Sequence, residues 1–141
     1  KIGAHMQELR RTKAGPFNED TLFTLQDLTD AYHFYKKESN DKFLRKVIQP
    51  TENAIKHLPK IWVFDTTVDT LCHGADLNIP GISKLNDNIA QNDAVAIMTL
   101  KDELIALGKA TLNSEEIIRK DKGLAVKTDK VFMEPGVYKI V

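Results

Sequence analysis

The hydrophobic period changes at Pro59-Lys60, and that change constrains the fold more than any other feature of the chain. Before it, apolar residues recur at spacings of three and four, the signature of helix. After it, Ile61 and Val63 alternate with Trp62 and Phe64, a period of two that gives a strand with apolar groups on both faces. Two regions are therefore expected, 1–59 helical and 60–141 mostly β. With 141 residues, 42% hydrophobic, the chain can fill one ordinary core, or one small core plus an attached piece. Seven glycines, five prolines and 28% charged residues do not describe a disordered or fibrous chain.

In the first region, Ile2, Met6 and Leu9 suggest two helical turns, which Gly15-Pro16 must end because Pro disfavours helix in the residue before it. Residues 10–14 read as a strand or extended arm. Thr24 is a plausible N-cap with Asp27 in the acidic first-turn position, and Leu25, Leu28, Ala31, Tyr32 and Tyr35 follow along one side. Ser39-Asn40-Asp41 interrupts. Phe43, Leu44, Val47 and Ile48 suggest a second helix stopped by Pro50, and Thr51 can cap a third carrying Ala54, Ile55 and Leu58. Helices this short need another surface to bury their apolar faces.

In the second region, Thr66 or Thr67 can cap a helix with Val68, Leu71 and Cys72 that Gly74 ends. A strand then runs into Pro80-Gly81, read as a type II turn with glycine in the left-handed position. Strands are expected over 94–100, 104–112 and 124–132, with a turn at Asp102-Glu103 and a helix over 114–120. Five or more short strands with two small helices in about 80 residues make a compact, mostly β pseudo-barrel; Trp62, Phe64 and Phe132 are expected in its core.

No stretch approaches 18 consecutive apolar residues, so no membrane-spanning helix is expected. A single cysteine, Cys72, can form neither an internal disulfide nor a multi-cysteine zinc site, which points to a reducing compartment. His5, His33, His57 and His73 stand in different elements without metal-ligand spacing, and no metal or cofactor is expected. The start has neither the order of a secretory signal nor an initiator Met, so the chain reads as a piece of something longer.

Twenty basic and twenty acidic residues cancel, yet two stretches carry a local basic surplus of three. These are 1–15 (Lys1, Arg10, Arg11, Lys13 against Glu8) and 119–130 (Arg119, Lys120, Lys122, Lys127, Lys130 against Asp121 and Asp129). Solvated faces are one reading and phosphate contact the other. Glu8, Asp65 and Asp76 are the carboxylates nearest apolar or glycine-marked positions, but Asp65 and Asp76 are expected to satisfy backbone donors rather than do acid–base chemistry. Unpaired RNA needs cations, close backbone approach and room for bases. The Gly74-Ala75-Asp76 corner, the Pro80-Gly81 turn and the lysines around 120–127 offer the first two of these.

The run Gly74-Ala75-Asp76-Leu77-Asn78-Ile79-Pro80-Gly81-Ile82 resembles a PUA domain, the RNA-binding pseudo-barrel of many RNA-modifying enzymes. Asn92-Asp93-Ala94-Val95-Ala96-Ile97-Met98, Ala106-Leu107-Gly108-Lys109-Ala110 and Lys122-Gly123-Leu124-Ala125-Val126 continue the likeness over residues 60–136. Gly3-Ala4-His5-Met6-Gln7-Glu8-Leu9-Arg10-Arg11-Thr12-Lys13-Ala14-Gly15-Pro16-Phe17 resembles the last stretch of the catalytic domain in tRNA uridine-55-type pseudouridine synthases. His57-Leu58-Pro59-Lys60-Ile61-Trp62-Val63 and Met98-Thr99-Leu100-Lys101-Asp102-Glu103-Leu104 are similar to the archaeal, dyskerin-like branch, the catalytic subunits of box H/ACA ribonucleoproteins.

The resemblance implies an α+β chain, a PUA pseudo-barrel preceded by a helical end of the catalytic domain, from an enzyme that isomerises uridine to pseudouridine in rRNA or tRNA. The family's catalytic aspartate lies in a motif that is not in this sequence, so no catalytic residue is expected here. Leu9, Arg10, Arg11 and Lys13 would form part of the substrate-pocket wall. His73, Gly74, Ala75, Asp76, Pro80, Gly81, Lys109, Lys120, Lys122 and Lys127 would bind the guide RNA's lower stem and ACA end. The partners implied are guide RNA, substrate RNA and the protein's own catalytic domain, with a small zinc-binding protein, a glycine–arginine-rich-type protein and a kink-turn-binding ribosomal-type protein in the particle. No membrane is involved, and the location would be the archaeal cytoplasm. The competing readings are a stand-alone RNA-binding module and an interaction protein that uses its helices for docking.

Overall fold

The computed structural model describes residues 3–138, in two compact units, 1–57 and 58–141. In the first, residues 3–12 have no regular structure, and Met6 and Leu9 lie on the surface, 70% and 69% exposed. This overturns the helix expected there, while Ile2 lies outside the described residues. An isolated two-turn helix with nothing beneath it does not recover its nucleation cost. The chain instead enters a small hairpin in which β1 (Lys13–Ala14) pairs with β2 (Phe17–Asn18), and Gly15 at φ 58 makes the turn.

Helix α1 (Leu25–Glu38) begins at a reciprocal capping box: the Thr24 hydroxyl accepts the Asp27 N–H, and Asp27 accepts the Thr24 N–H at 2.7 Å. Ser39, left-handed at φ 51, ends it. Helix α2 (Lys42–Val47) follows, with an ion pair between Arg45 and Asp41. The expected third helix is a 3₁₀ segment, Thr51–Ile55, with Pro50 at its N-cap position and no side-chain cap from Thr51. The apolar side of α1 is also narrower than expected: Ala31 is buried and Leu28 half-buried, whereas Leu25, Tyr32 and Tyr35 are exposed. Among the described residues of this unit only Ala31 and Ile55 are buried.

The second unit is built on a six-stranded sheet in the order β4-β8-β7-β6-β3-β5. Its strands are β3 (Lys60–Val63), β4 (Leu77–Asn78), β5 (Ile82–Leu85), β6 (Ala94–Met98), β7 (Leu104–Ala110) and β8 (Leu124–Val131). All pairings are antiparallel except β3 with β6. The edge strands β4 and β5 are joined by a single 3₁₀ turn, Ile79–Gly81. A flat sheet of this size would hold its edges about 24 Å apart, while so short a link reaches about 14 Å at most. The sheet must therefore curl into a nearly closed barrel.

The barrel interior holds Ile61, Val63, Leu77, Val95, Ile97, Ile105 and Val126, with Val68 and Leu71 from helix α3 (Asp65–Cys72) and Ile117 from helix α4 (Ser114–Arg119). Full burial of each such side chain contributes about 1.5–3 kcal/mol. The three aromatics expected in this core are not in it. Because Ile61 and Val63 take the inner face of β3, the pleat sends Trp62 and Phe64 outward. Phe64 is 45% and Phe132 42% exposed. Trp62 is half-buried, its ring beneath the Lys84 ammonium at 4.3 Å and its Nε1–H donating to Asp102 Oδ1 at 2.6 Å.

Two further expectations shift. Neither Thr66 nor Thr67 caps α3; Phe64 occupies the N-cap position. The β6–β7 turn falls two residues early: the Asp102 N–H donates to Thr99 O at 3.1 Å, which puts Leu100 and Lys101 at its centre, and a left-handed Asp102 at φ 63 follows, with the Thr99 N–H donating to Glu103 O at 2.9 Å. Helix α4 does carry a capping box, Asn113 with Glu116.

Candidate nucleic-acid interface

Helix α3 ends in a two-bond glycine cap. Gly74, at φ 87, donates its N–H to Leu71 O at 2.9 Å, and Ala75 donates to Thr70 O at 3.3 Å. The corner this makes is tied to β8 through one residue. Thr128 N–H donates to Asp76 Oδ1 at 2.8 Å, and the Thr128 hydroxyl donates to Ala75 O at 2.8 Å. Asp76 thus satisfies a backbone donor, as its sequence context suggests.

Gly81 departs from expectation. It lies in the 3₁₀ turn without a positive φ, so left-handed geometry is not why it is glycine. A Cβ there would meet Thr67 Cγ2 at 2.8 Å and Oγ1 at 2.9 Å. Close approach to α3 is the reason. Gly108 is tighter still, its absent Cβ lying 2.6 Å from Lys127 O. A glycine inside an otherwise apolar strand signals such an approach, and that signal was in the sequence.

Pairing of β4 with β8 brings together segments some fifty residues apart. Leu77 faces Val126, Asn78 faces Leu124, and Ile79 N–H donates to Gly123 O at 2.9 Å. His73, Gly74, Ala75, Asp76, Pro80 and Gly81 are therefore carried beside the segment holding Lys120, Lys122 and Lys127, and Lys109 joins them as the β7 partner of Lys127. The cations are not equivalent. Arg119 pairs with Glu115 at 3.6 Å and Lys120 with Glu116 at 3.8 Å, whereas no ion pair reaches Lys109, Lys122 or Lys127 among the described residues.

His73 is exposed, with Nδ1 2.8 Å from Asp69 O and 3.5 Å from the Asp69 carboxylate. Burial pushes the neighbouring Cys72 thiol up from its ordinary pKa, and the Asp69 charge adds to the effect, so it is no poised nucleophile.

In the first unit, Leu9, Arg10 and Arg11 lie on the exposed arm and Lys13 on β1. Arg10 is held by Glu19 at 2.6 Å; Arg11 and Lys13 have no such partner among the described residues. Arg11, Lys13 and Phe17 line a concave surface of about 320 Å³ around the hairpin.

Residues 59–132 match the family model for the PUA domain, and residues 1–56 that for the tRNA pseudouridylate synthase B C-terminal domain. The chain belongs to the PUA-domain family. More narrowly, its two units correspond to the C-terminal, PUA-containing region of archaeal dyskerin-like pseudouridine synthases, the non-catalytic portion of that enzyme. A probable tRNA pseudouridine synthase B from Pyrococcus horikoshii is 59% identical over 97% of this chain and 41% of its own length. The chain thus spans about two fifths of the curated relatives it matches. A chain in a structure of an H/ACA RNP bound to a substrate RNA containing 2'-deoxyuridine superimposes with a TM-score of 0.89 at 54% identity, over 99% of this chain and 44% of that one. One in a crystal structure of a Cbf5–Nop10–Gar1 complex gives 0.87 at 55% identity, over 97% and 42%.

Proposed function

We propose that this chain is the guide-RNA-holding part of an RNA-guided pseudouridine synthase that isomerises uridine in rRNA or tRNA. The observation that carries the proposal is the β4–β8 pairing, which sets the glycine-capped corner 73–76 and the Pro80-Gly81 turn beside the segment holding Lys120, Lys122 and Lys127, the last two without a carboxylate partner among the described residues. Backbone groups and small side chains at the corner suit close approach of unpaired bases, and Lys109, Lys120, Lys122 and Lys127 suit phosphate. The occupants are the ACA end and lower stem of a guide RNA. Leu9, Arg10, Arg11 and Lys13 line the substrate side, with Leu9 as the apolar surface against a flipped base.

The likeness to chains solved in an H/ACA RNP and in a Cbf5–Nop10–Gar1 complex supports partners of the Nop10 and Gar1 types, a small zinc-binding protein and a glycine–arginine-rich-type protein. A kink-turn-binding ribosomal-type protein on the RNA and a catalytic domain N-terminal to this region complete the particle, which works in the archaeal cytoplasm. Among the described residues of unit 1, the large apolar side chains exposed between Leu22 and Ile48 suit packing against that catalytic domain.

The test is to measure guide-RNA binding by the chain alone, then guided uridine isomerisation after adding the catalytic domain and partners. Binding without turnover in the first case and turnover in the second are expected. Turnover by the chain alone would overturn the assignment of chemistry elsewhere, and absence of RNA binding would overturn the whole reading.

A further inference from the structure

Lys109 and Lys127 stand directly opposite each other on β7 and β8. Both are exposed, and both lie on the outer face, because their neighbours Ala110 and Val126 form the adjacent inward-facing pair. Like charges directly opposite on a ladder oppose folding, so this pair needs a reason outside the fold. No carboxylate supplies one: Asp129 borders the same surface, yet no ion pair joins it to either lysine among the described residues. The two lysines border a shallow groove of about 370 Å³ with Asn92, Ala94 and Gly108.

We infer that Lys109 and Lys127 form a two-ammonium site for one phosphate, occupied by a backbone phosphodiester of the RNA whose unpaired end lies at the 74–81 corner. The inference rests on the RNA-binding reading above and adds to it a division of labour. Two ammonium groups that cannot pair with each other can both donate to the oxygens of a single bridging anion, which turns the repulsion into attraction. The site is next to the corner, because Thr128 follows Lys127 in the strand and holds both Ala75 and Asp76. A phosphate contact positions the strand without reading sequence. The pair therefore sets affinity and leaves base discrimination to the corner.

The experiment uses the 141-residue chain, an RNA hairpin with a 3′ ACA overhang, and the same hairpin with a 3′ UUU overhang. Lys127→Gln is expected to weaken both RNAs by the same factor and to lower the slope of log affinity against log salt by about one. Lys127→Glu is expected to weaken binding at least as far while raising the Tm, since it places opposite charges across the ladder. An unchanged salt slope in Lys127→Gln, or a loss confined to the ACA hairpin, would overturn the site. If the unsubstituted chain binds neither hairpin, the RNA reading itself fails. Inorganic phosphate then decides the site separately by NMR: shifts at Lys109 and Lys127 that Lys127→Glu abolishes keep it as an anion site, and no shifts remove it.

Discussion

Asp76 and Thr128 are joined by a hydrogen bond of 2.8 Å between a side-chain carboxylate and a backbone N–H, across 52 positions of sequence. With the Thr128 hydroxyl on Ala75 O, it fastens the corner after α3 to the middle of β8. Asp76→Ala should cost about 1 kcal/mol, the net worth of such a bond, and lower RNA affinity by loosening the corner. Denaturant unfolding and a binding titration check both; unchanged stability would mean the bond does not hold the corner.

The three glycines that bear on this surface should fail in a fixed order. At Gly108 a Cβ meets the Lys127 backbone carbonyl, which cannot rotate away, so Gly108→Ala should cost most, about 3 kcal/mol or more. At Gly81 the obstacle is the tip of Thr67, and Gly81→Ala should cost about 1–2 kcal/mol. Gly74 has open space around it but a φ of 87, so Gly74→Ala should cost about 1 kcal/mol from strain alone. Thermal melts of the three variants test the ranking, and Gly74→Ala as the worst of them would contradict it.

Lys120 and Lys122 should differ although they are near neighbours. Lys120 already faces Glu116 at 3.8 Å, so removing it also frees a carboxylate close to any phosphate. Lys122→Ala should lower the salt slope by about one, whereas Lys120→Ala should weaken binding further at low salt through the exposed Glu116. Titrations across salt concentration read the difference.

Trp62 is the sole tryptophan, and its indole N–H is bound by Asp102. Asp102→Ala should shift its fluorescence and cost about 1 kcal/mol, while Asp102→Asn retains an acceptor and a residue tolerant of positive φ. Equal loss in the two variants would show that the indole bond contributes nothing.

Hydrogen bonds from Thr24 hold the Asp27 carboxyl below its ordinary pKa. A depressed folded pKa contributes stability above the unfolded value and loses it as pH falls through the folded one. The α1 helicity of the chain should therefore be insensitive to pH near neutrality and decline below about pH 4, with Thr24→Val removing that acid-range dependence. Circular dichroism from pH 7 to pH 2 follows it.

Local chemistry was legible in the sequence because it acts over three or four residues. The Thr24–Asp27 cap, the helix stop at Gly74 and the period change near Pro59 all depend on neighbours along the chain. The archaeal dyskerin-like likeness was legible for a similar reason, since it rests on contiguous runs. What failed was whatever needed a distant partner. The helix expected around Met6 and Leu9 is absent, and Trp62, Phe64 and Phe132 are displaced from the core because inner positions went to Ile61, Val63 and their barrel neighbours.

By itself, then, the sequence determined the cap of α1 at Thr24, the stop of α3 at Gly74 and the change of period near Pro59, since capping and period are local properties. Only the tertiary structure decided which elements become neighbours. Pairing of β4 with β8 set residues 73–81 beside 120–128, pairing of β7 with β8 placed Lys109 opposite Lys127, and the approach of Thr67 and of Lys127 made Gly81 and Gly108 obligatory. Such pairings follow from strand order and register across the barrel, and these have no counterpart in the spacing of residues along the chain.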